Sequence, residues 1–307
     1  MIDFVGKRRW FFLISGILIV IGIISLAVFG LKWGVDFSSG TAITLQFENP
    51  VDLAELRQQL ADLGYGTATI QSAGEEQFFI RIGETTSDEY AQLKEGLQAG
   101  LGNNITDSSV FTVSPVIAAA TVRNTGIAVV IASIGILLYI SWAFRKMPKP
   151  FRWGICAILA LFHDLIIVIA IFSILGWAAG MEVDALFVTG VLAVAGVSVN
   201  NIVVVFDRIR ENSKRGVSGD FEVIANVGIM ESVGRSMNTG LATLFVIVAL
   251  YLLGGVTIRN LVLALLVGIT TGIYSSLCIA GQLLVVWDKG EWGKLFSRLP
   301  SARRASQ

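Results

Sequence analysis

Six long apolar runs dominate this 307-residue chain, at about 11–31, 126–144, 155–177, 186–206, 236–253 and 261–287. Lipid offers no hydrogen bonds, so a segment that crosses it must satisfy its backbone groups internally, as a helix, or by closing into a barrel. Runs of roughly 20 apolar residues suit helices spanning a ~30 Å hydrocarbon core, whereas barrel strands need only about half that length. The runs therefore predict six transmembrane helices. The 54% hydrophobic and 15% charged residues agree, since soluble domains carry about 25% charge. Zero formal net charge gives no basis for a nucleic-acid partner.

The first run follows Lys7, Arg8 and Arg9 and is about 21 residues long, with no Ala-x-Ala site after it. Signal-peptide cores are about 7–15 residues long, so the run is read as a retained anchor. Basic residues set orientation. With the N-terminus inside, 17 Lys and Arg fall in cytoplasmic segments and 6 on the other side, which predicts that both termini are cytoplasmic. The domains expected are 1–31, the N-terminus and first span; 32–122, a soluble domain; 123–287, a five-helix bundle; and 288–307, a cytoplasmic tail.

Within 32–122, residues 41–47 alternate like a strand. Residues 50–64 carry a Leu53, Leu56, Leu60 stripe after Pro50 and stop at Gly64, the pattern of a helix. Strands are expected at 67–71, 77–82 and 108–116, and a second helix at 87–101, with Asp88 and Glu89 near its start. The order β-α-β-β-α-β is the ferredoxin-like pattern. Contact with a partner is the expected role, with a folded linker as the alternative. Residues 207–229 are amphipathic, with Phe221, Ile224, Ala225 and Gly228 on one face, and are expected to lie along the membrane surface.

Polar residues inside spans are functional candidates because lipid solvates them poorly. Asp164, beside His163, lies about 14 Å into the third span at 1.5 Å per residue; a proton-carrying role and an inter-helix hydrogen bond are both open. Adjacent helical residues point about 100° apart, so His163 and Asp164 need not touch. Asn200 and Asn201 lie in the fourth span, with Ser198 one turn before Asn201. An amide bridges helices or holds water but does not carry a proton as a carboxylate does. Arg235 opens the fifth span or lies a turn inside it and requires a carboxylate or water. Ser236, Thr239, Gly240 and Thr243, and in the sixth span Gly268, Thr271, Gly272 and Ser275, make small polar faces suited to close packing or a hydrated path. Asp207, Arg208, Arg210 and Glu211 fall at a helix exit, where such charges are ordinary. Cys156 and Cys278 are read as packing residues, and no metal-ligand spacing occurs, so no metal, cofactor or enzymatic activity is expected.

The stretch 196–212, GVSVNNIVVVFDRIREN, resembles the signature helix of the SecF family, the smaller half of the bacterial SecDF pair in the RND superfamily. Gly34-Val-Asp36-Phe37 with Gly40 resembles its Gly-x-Asp-Phe-x-Gly-Gly motif after the first span. Leu161-Phe-His163-Asp164, Arg235 to Thr239 and Leu250-Tyr-Leu-Leu-Gly-Gly255 resemble its later motifs. The resemblance implies an RND-type bundle in the inner membrane. It also implies partnership with SecD and the SecYEG translocon, and use of the proton gradient to assist export of preproteins, with the soluble domain on the outer side where substrate emerges. Two positions depart from the pattern. Asn201 stands where the family has an aspartate thought to share the proton path with the arginine matching Arg235, and Ser39 replaces the first glycine of the pair. Two readings follow: a proton-coupled subunit whose acid is Asp164 or belongs to the partner, or a non-transducing scaffold. Half of an RND-type exporter is a third, weaker reading.

Overall fold

The structure, a computed structural model, describes residues 3–72 and 74–291. Helix α1 (Arg8–Phe29) is followed by the short α2 (Val35–Ser38) and then a four-stranded sheet with two helices. These are β1 (Gly40–Phe47), α3 (Leu53–Asp62), β2 (Thr69–Ser72), β3 (Gln77–Ile82), α4 (Ser87–Leu101) and β4 (Ile105–Val113). The sheet order β2-β3-β1-β4, with every neighbouring pair antiparallel, is the ferredoxin-like arrangement. Its core joins Ile43, Leu45, Phe47, Phe78 and Ile80 on the sheet to Leu56, Leu60, Leu93 and Leu97 on the helices.

Boundaries moved where side chains or turns intervene. Helix α3 starts at Leu53 rather than at Pro50 because the Asp52 carboxylate accepts the N–H groups of Ala54 and Glu55, at 2.7 and 3.3 Å. Residues 65–68 form a turn closed by Ala68 N–H to Tyr65 O, which delays β2 to Thr69. β4 begins at Ile105, opposite Phe47, and ends at Val113 because Pro115 opens the next helix.

Six helical stretches among the described residues are long and apolar enough to cross a membrane, as the sequence predicts. They are α1, α5 (Pro115–Ala143), α6 (Pro150–Ala179), α7 (Ala185–Arg215), α8 (Phe221–Leu253) and a last span. The last span comprises α9 (Arg259–Ser275), a π-helical segment (Ser276–Ala280) and α10 (Gly281–Lys289). Helices α6, α7 and the last span form the packed centre; α1, α5 and α8 expose most of their apolar surface. The end holding the N-terminus and the loops before α6 and α8 is called the terminal side, and the opposite end the domain side.

Two expectations are corrected. The soluble domain was expected to run to 122, but α5 starts at Pro115, and Ala118 packs with Val35, Ala42 and Val113 beneath the sheet. No separate surface helix occupies 207–229: α7 runs to Arg215, where Gly216 adopts the left-handed conformation, and α8 begins at Phe221 and continues across the membrane. The apolar face at Ile224, Ala225 and Gly228 packs on α7 instead, so closely that a Cβ on Gly228 would lie 2.8 Å from the Ile209 backbone. Protein packing rather than lipid covers that face. Cys156 and Cys278 are free, buried thiols. The expected tail lies, beyond Glu291, outside the described residues.

Candidate functional site

Near the middle of α6, Asp164 is completely buried. Its Oδ2 accepts hydrogen bonds from Ser198 Oγ of α7 at 2.6 Å and Ser275 Oγ of α9 at 2.8 Å. Its Oδ1 lies 3.0 Å from His163 Nδ1, so these adjacent residues do touch. All three partners are buried as well. A buried carboxyl group is costly unless its oxygens are bonded, and three polar partners offset that cost here. The imidazole lies beside the Tyr274 ring, centroids 6.1 Å apart, and its Nε2 is buried without a hydrogen-bond partner. Small residues permit the convergence: a Cβ on Gly272 would lie 3.3 Å from Ser198, and one on Gly268 only 2.3 Å from Val194. The π-helical segment begins directly after Ser275; such segments often accompany functional positions in helices.

One turn along α7 from Ser198, Asn201 is buried and Asn200 is exposed. Both line a pocket of about 70 Å³ with Val204, Arg235, Ser236 and Thr239. Ser236 Oγ is buried without a partner. Arg235 lies four turns into α8, is exposed, and forms no ion pair among the described residues. The structure thus groups the predicted residues in two places, Asp164 with His163 and Ser198, and Arg235 with Asn200 and Asn201.

The remaining signature residues have a plainer role. Asp207 pairs with Arg210 at 3.4 Å, Arg208 with Glu211 at 2.7 Å, and Glu211 also with Arg215 at 2.5 Å. These are partly exposed pairs one turn apart, each worth about 0.3–0.5 kcal/mol, and they extend α7 past the apolar run. Sequence reading passed over Asn212. It is buried and donates to Glu231 of α8 at 2.9 Å, and its spacing from Val205 and Ile209 marks it as part of the same inner face.

On the domain side, the exit motif is a clasp. Gly34 N–H donates to Val183 O at 2.8 Å, and a Cβ there would crowd Val183 and Asp184 at 3.1–3.2 Å. Asp36 accepts Ala185 N–H at 2.8 Å at the start of α7. Phe37 packs edge-on to Trp33. Gly40 has φ +123°, and a Cβ would lie 2.7 Å from Ile82 O. Ser39 has φ +62° and ψ 169°, a region that glycine occupies almost alone.

Three residues not singled out in the sequence, Arg81, Gln71 and Asn260, complete this clasp. Arg81 of β3 donates to Trp33 O and to Ser38 Oγ, and lies 3.3 Å from the Glu182 carboxylate. Gln71 donates to Gly180 O at 2.6 Å, and Asn260 to Asp184 at 2.7 Å. Burial pushes the Glu182 carboxyl above the ordinary range by more than Arg81 pulls it down. Burial also raises Asp184, against the hydrogen bonds from Phe187 N–H and Asn260. A cleft of about 330 Å³ separates the sheet from the bundle, bounded in part by Gln71, Phe79, Phe111, Glu182, Asp184 and Asn260.

Known proteins share this fold. The family described as "Protein export membrane protein SecD/SecF, C-terminal" matches residues 93–290, and "SecD/SecF GG Motif" matches residues 24–51. The class is therefore a multi-pass protein-export membrane protein. Protein translocase subunit SecF from Thermobaculum terrenum is 43% identical over 97% of this chain and 98% of its own length. Protein translocase subunit SecDF from Bacillus subtilis is 35% identical over 95% of this chain, which spans 39% of that longer protein. The crystal structure of SecDF, a translocon-associated membrane protein from Thermus thermophilus, superimposes with a TM-score of 0.83 at 31% identity, over 94% of this chain and 39% of that one. The chain belongs to the SecF family of protein translocase subunits.

Proposed function

We propose that this subunit works as one half of a SecD–SecF pair that uses the proton motive force to assist export of preproteins through the SecYEG translocon. The observation that carries this reading is Arg235, a permanently charged group deep in α8 with no anionic partner among the described residues, beside Asn200 and Asn201. Lipid stabilises such a group poorly, and an intramembrane carboxylate of SecD supplies the missing charge. The fused SecDF of Bacillus subtilis supports the pairing, since one polypeptide there holds a segment matching this chain. One charge crossing 100 mV releases about 2.3 kcal/mol, enough to bias a conformational step. The excess of basic residues on the terminal side supports a bacterial inner-membrane protein with cytoplasmic termini and an external ferredoxin-like domain. The chain acts through binding and movement rather than as an enzyme, and requires no cofactor.

The test is proton-dependent export by the reconstituted pair with the partner's intramembrane acids neutralised. Loss of gradient dependence is expected; undiminished activity sinks the assignment of the titrating acid to SecD. Asn201 favours a second reading, a scaffold that positions SecD without transducing. The substitution Asn201→Asp separates the two readings: a gain in gradient-dependent export indicates that this chain has reduced coupling, and no gain indicates a route that does not use position 201.

A further inference from the structure

On the terminal side, the segment between α5 and α6 and the start of α6 carry Arg145, Lys146, Lys149 and Arg152 within eight residues that contain no acid. None of the four forms an ion pair among the described residues. Arg145 lies over the Trp142 ring at 4.6 Å, and Arg152 lies 5.8 Å from the Trp287 ring. Lys149 and Arg152 border a cleft of about 130 Å³. Buried Met147, Trp153 and Leu284 form its apolar floor, with Phe221, and exposed Asp288 stands at its rim. That volume is below the roughly 300–1,000 Å³ of sites that enclose a whole small molecule, but it accommodates a phosphate and the glycerol carbons next to it.

We propose that this cleft seats the headgroup of an anionic phospholipid. The phosphate lies between Lys149 and Arg152, and the acyl chains run along the apolar surface of α5 and α6, where Leu138, Trp142, Phe151 and Phe162 are exposed. Charge complementarity selects an anionic lipid: the cleft is lined by two cations, Lys149 and Arg152, against one acid, Asp288, and Arg145 and Lys146 stand just before them in the chain. Exposed Trp142 beside Arg145 fits the aromatic and basic belt of a membrane interface, which brings the cleft to headgroup level. Basic pockets between helices at this depth suit anionic headgroups.

Orientation of the chain alone does not account for the arrangement, because topology depends on how many basic residues lie near a helix end and not on their placement in a cleft. Placement here is enforced. Lys149 sits between Pro148 and Pro150 with φ +53° and ψ 61°, left-handed for a residue with a side chain. A residue preceding proline normally adopts extended backbone, so the chain maintains a disfavoured conformation that holds this lysine at the mouth of the cleft.

Purified full-length protein in detergent, titrated with dioleoyl phosphatidylglycerol, dioleoyl phosphatidylethanolamine or inorganic phosphate, tests this by native mass spectrometry and thermal unfolding. Phosphatidylglycerol is expected to remain bound and to raise Tm, phosphatidylethanolamine to bind about tenfold more weakly, and inorganic phosphate to do neither. Arg152→Gln lowers phosphatidylglycerol affinity by about tenfold, the loss of one charge-assisted hydrogen bond. Lys149→Gly raises Tm in lipid-free detergent by relieving the backbone while it removes the response to phosphatidylglycerol, and Lys149→Arg keeps that response. Equal binding of the two lipids, unchanged affinity in Arg152→Gln, or a Tm rise with inorganic phosphate alone overturns the proposal.

Discussion

Two polar centres lie one turn apart on α7 and are built in opposite ways. Around Asp164, two serines and a histidine from three helices close on one carboxyl group, and every oxygen is engaged. Around Arg235, two amides and two hydroxyl residues line a small pocket, yet the guanidinium is exposed and has no counter-charge among the described residues. A saturated buried centre contributes to the fold of the chain that contains it, because removing one member strands the others. An unsaturated centre at membrane depth contributes little to its own chain and gains its partners through assembly. The difference teaches which polar residues serve the subunit and which serve the complex.

The sharpest way to break that comparison is Asp164→Leu. Loss of the acceptor strands His163, Ser198 and Ser275, and the isolated subunit is expected to lose on the order of 3 kcal/mol, read as a large fall in Tm in detergent. A Tm close to that of the unsubstituted protein contradicts a structural role for the cluster. Arg235→Leu is the mirror experiment. Its Tm in isolation is expected to change little, while affinity for SecD falls roughly tenfold or more, as when a buried charge loses its partner across an interface. A large fall in Tm with intact pairing would reverse the roles assigned to the two centres.

The clasp on the domain side adds a pH test. Burial raises the carboxyl groups of Glu182 and Asp184, so the seated domain binds protons more readily than the released one. The sign follows from linkage: the contribution is complete below the ordinary carboxyl range and is lost as pH rises through the raised seated values. Acidification from neutral pH is therefore expected to raise the protection of β2 and β3 amides, measured as exchange relative to the intrinsic rate at each pH, and Arg81→Leu to lower it at every pH. Lower protection on acidification would contradict this. The smallest effect expected is a gain of about 1 kcal/mol from Ser39→Gly, because glycine tolerates the backbone that serine holds under strain. It is measured as a rise in domain Tm, and it leaves both polar centres unaffected.

Much of this architecture is legible before the chain folds. Six spans follow from apolar length, and the ferredoxin-like order follows from alternation in β1 and β3 and the leucine stripe of α3. Asp164 and Arg235 stand out because ionisable groups in apolar runs are conspicuous. Less legible is the company each residue keeps. Ser198 and Ser275 are ordinary small residues until α7 and α9 approach closely enough to aim both at one carboxyl group. Arg81 reads as a surface charge on a strand until the sheet meets the loop that carries Glu182. The face at Ile224, Ala225 and Gly228 has the same amphipathic pattern whether lipid or α7 covers it, and only the packing distinguishes the two.

By itself, the sequence determined that the chain inserts in a membrane, how many times it crosses, and which segment folds outside it. Those outcomes depend on transfer of local segments from water, and local composition decides that. Tertiary structure decided that Asp164 is saturated and Arg235 is not, that Glu182 is buried beneath Arg81, and that Lys149 is held at the mouth of a cleft. Such outcomes depend on atoms separated by up to a hundred or more residues in the chain, brought within hydrogen-bonding distance only when whole helices pack.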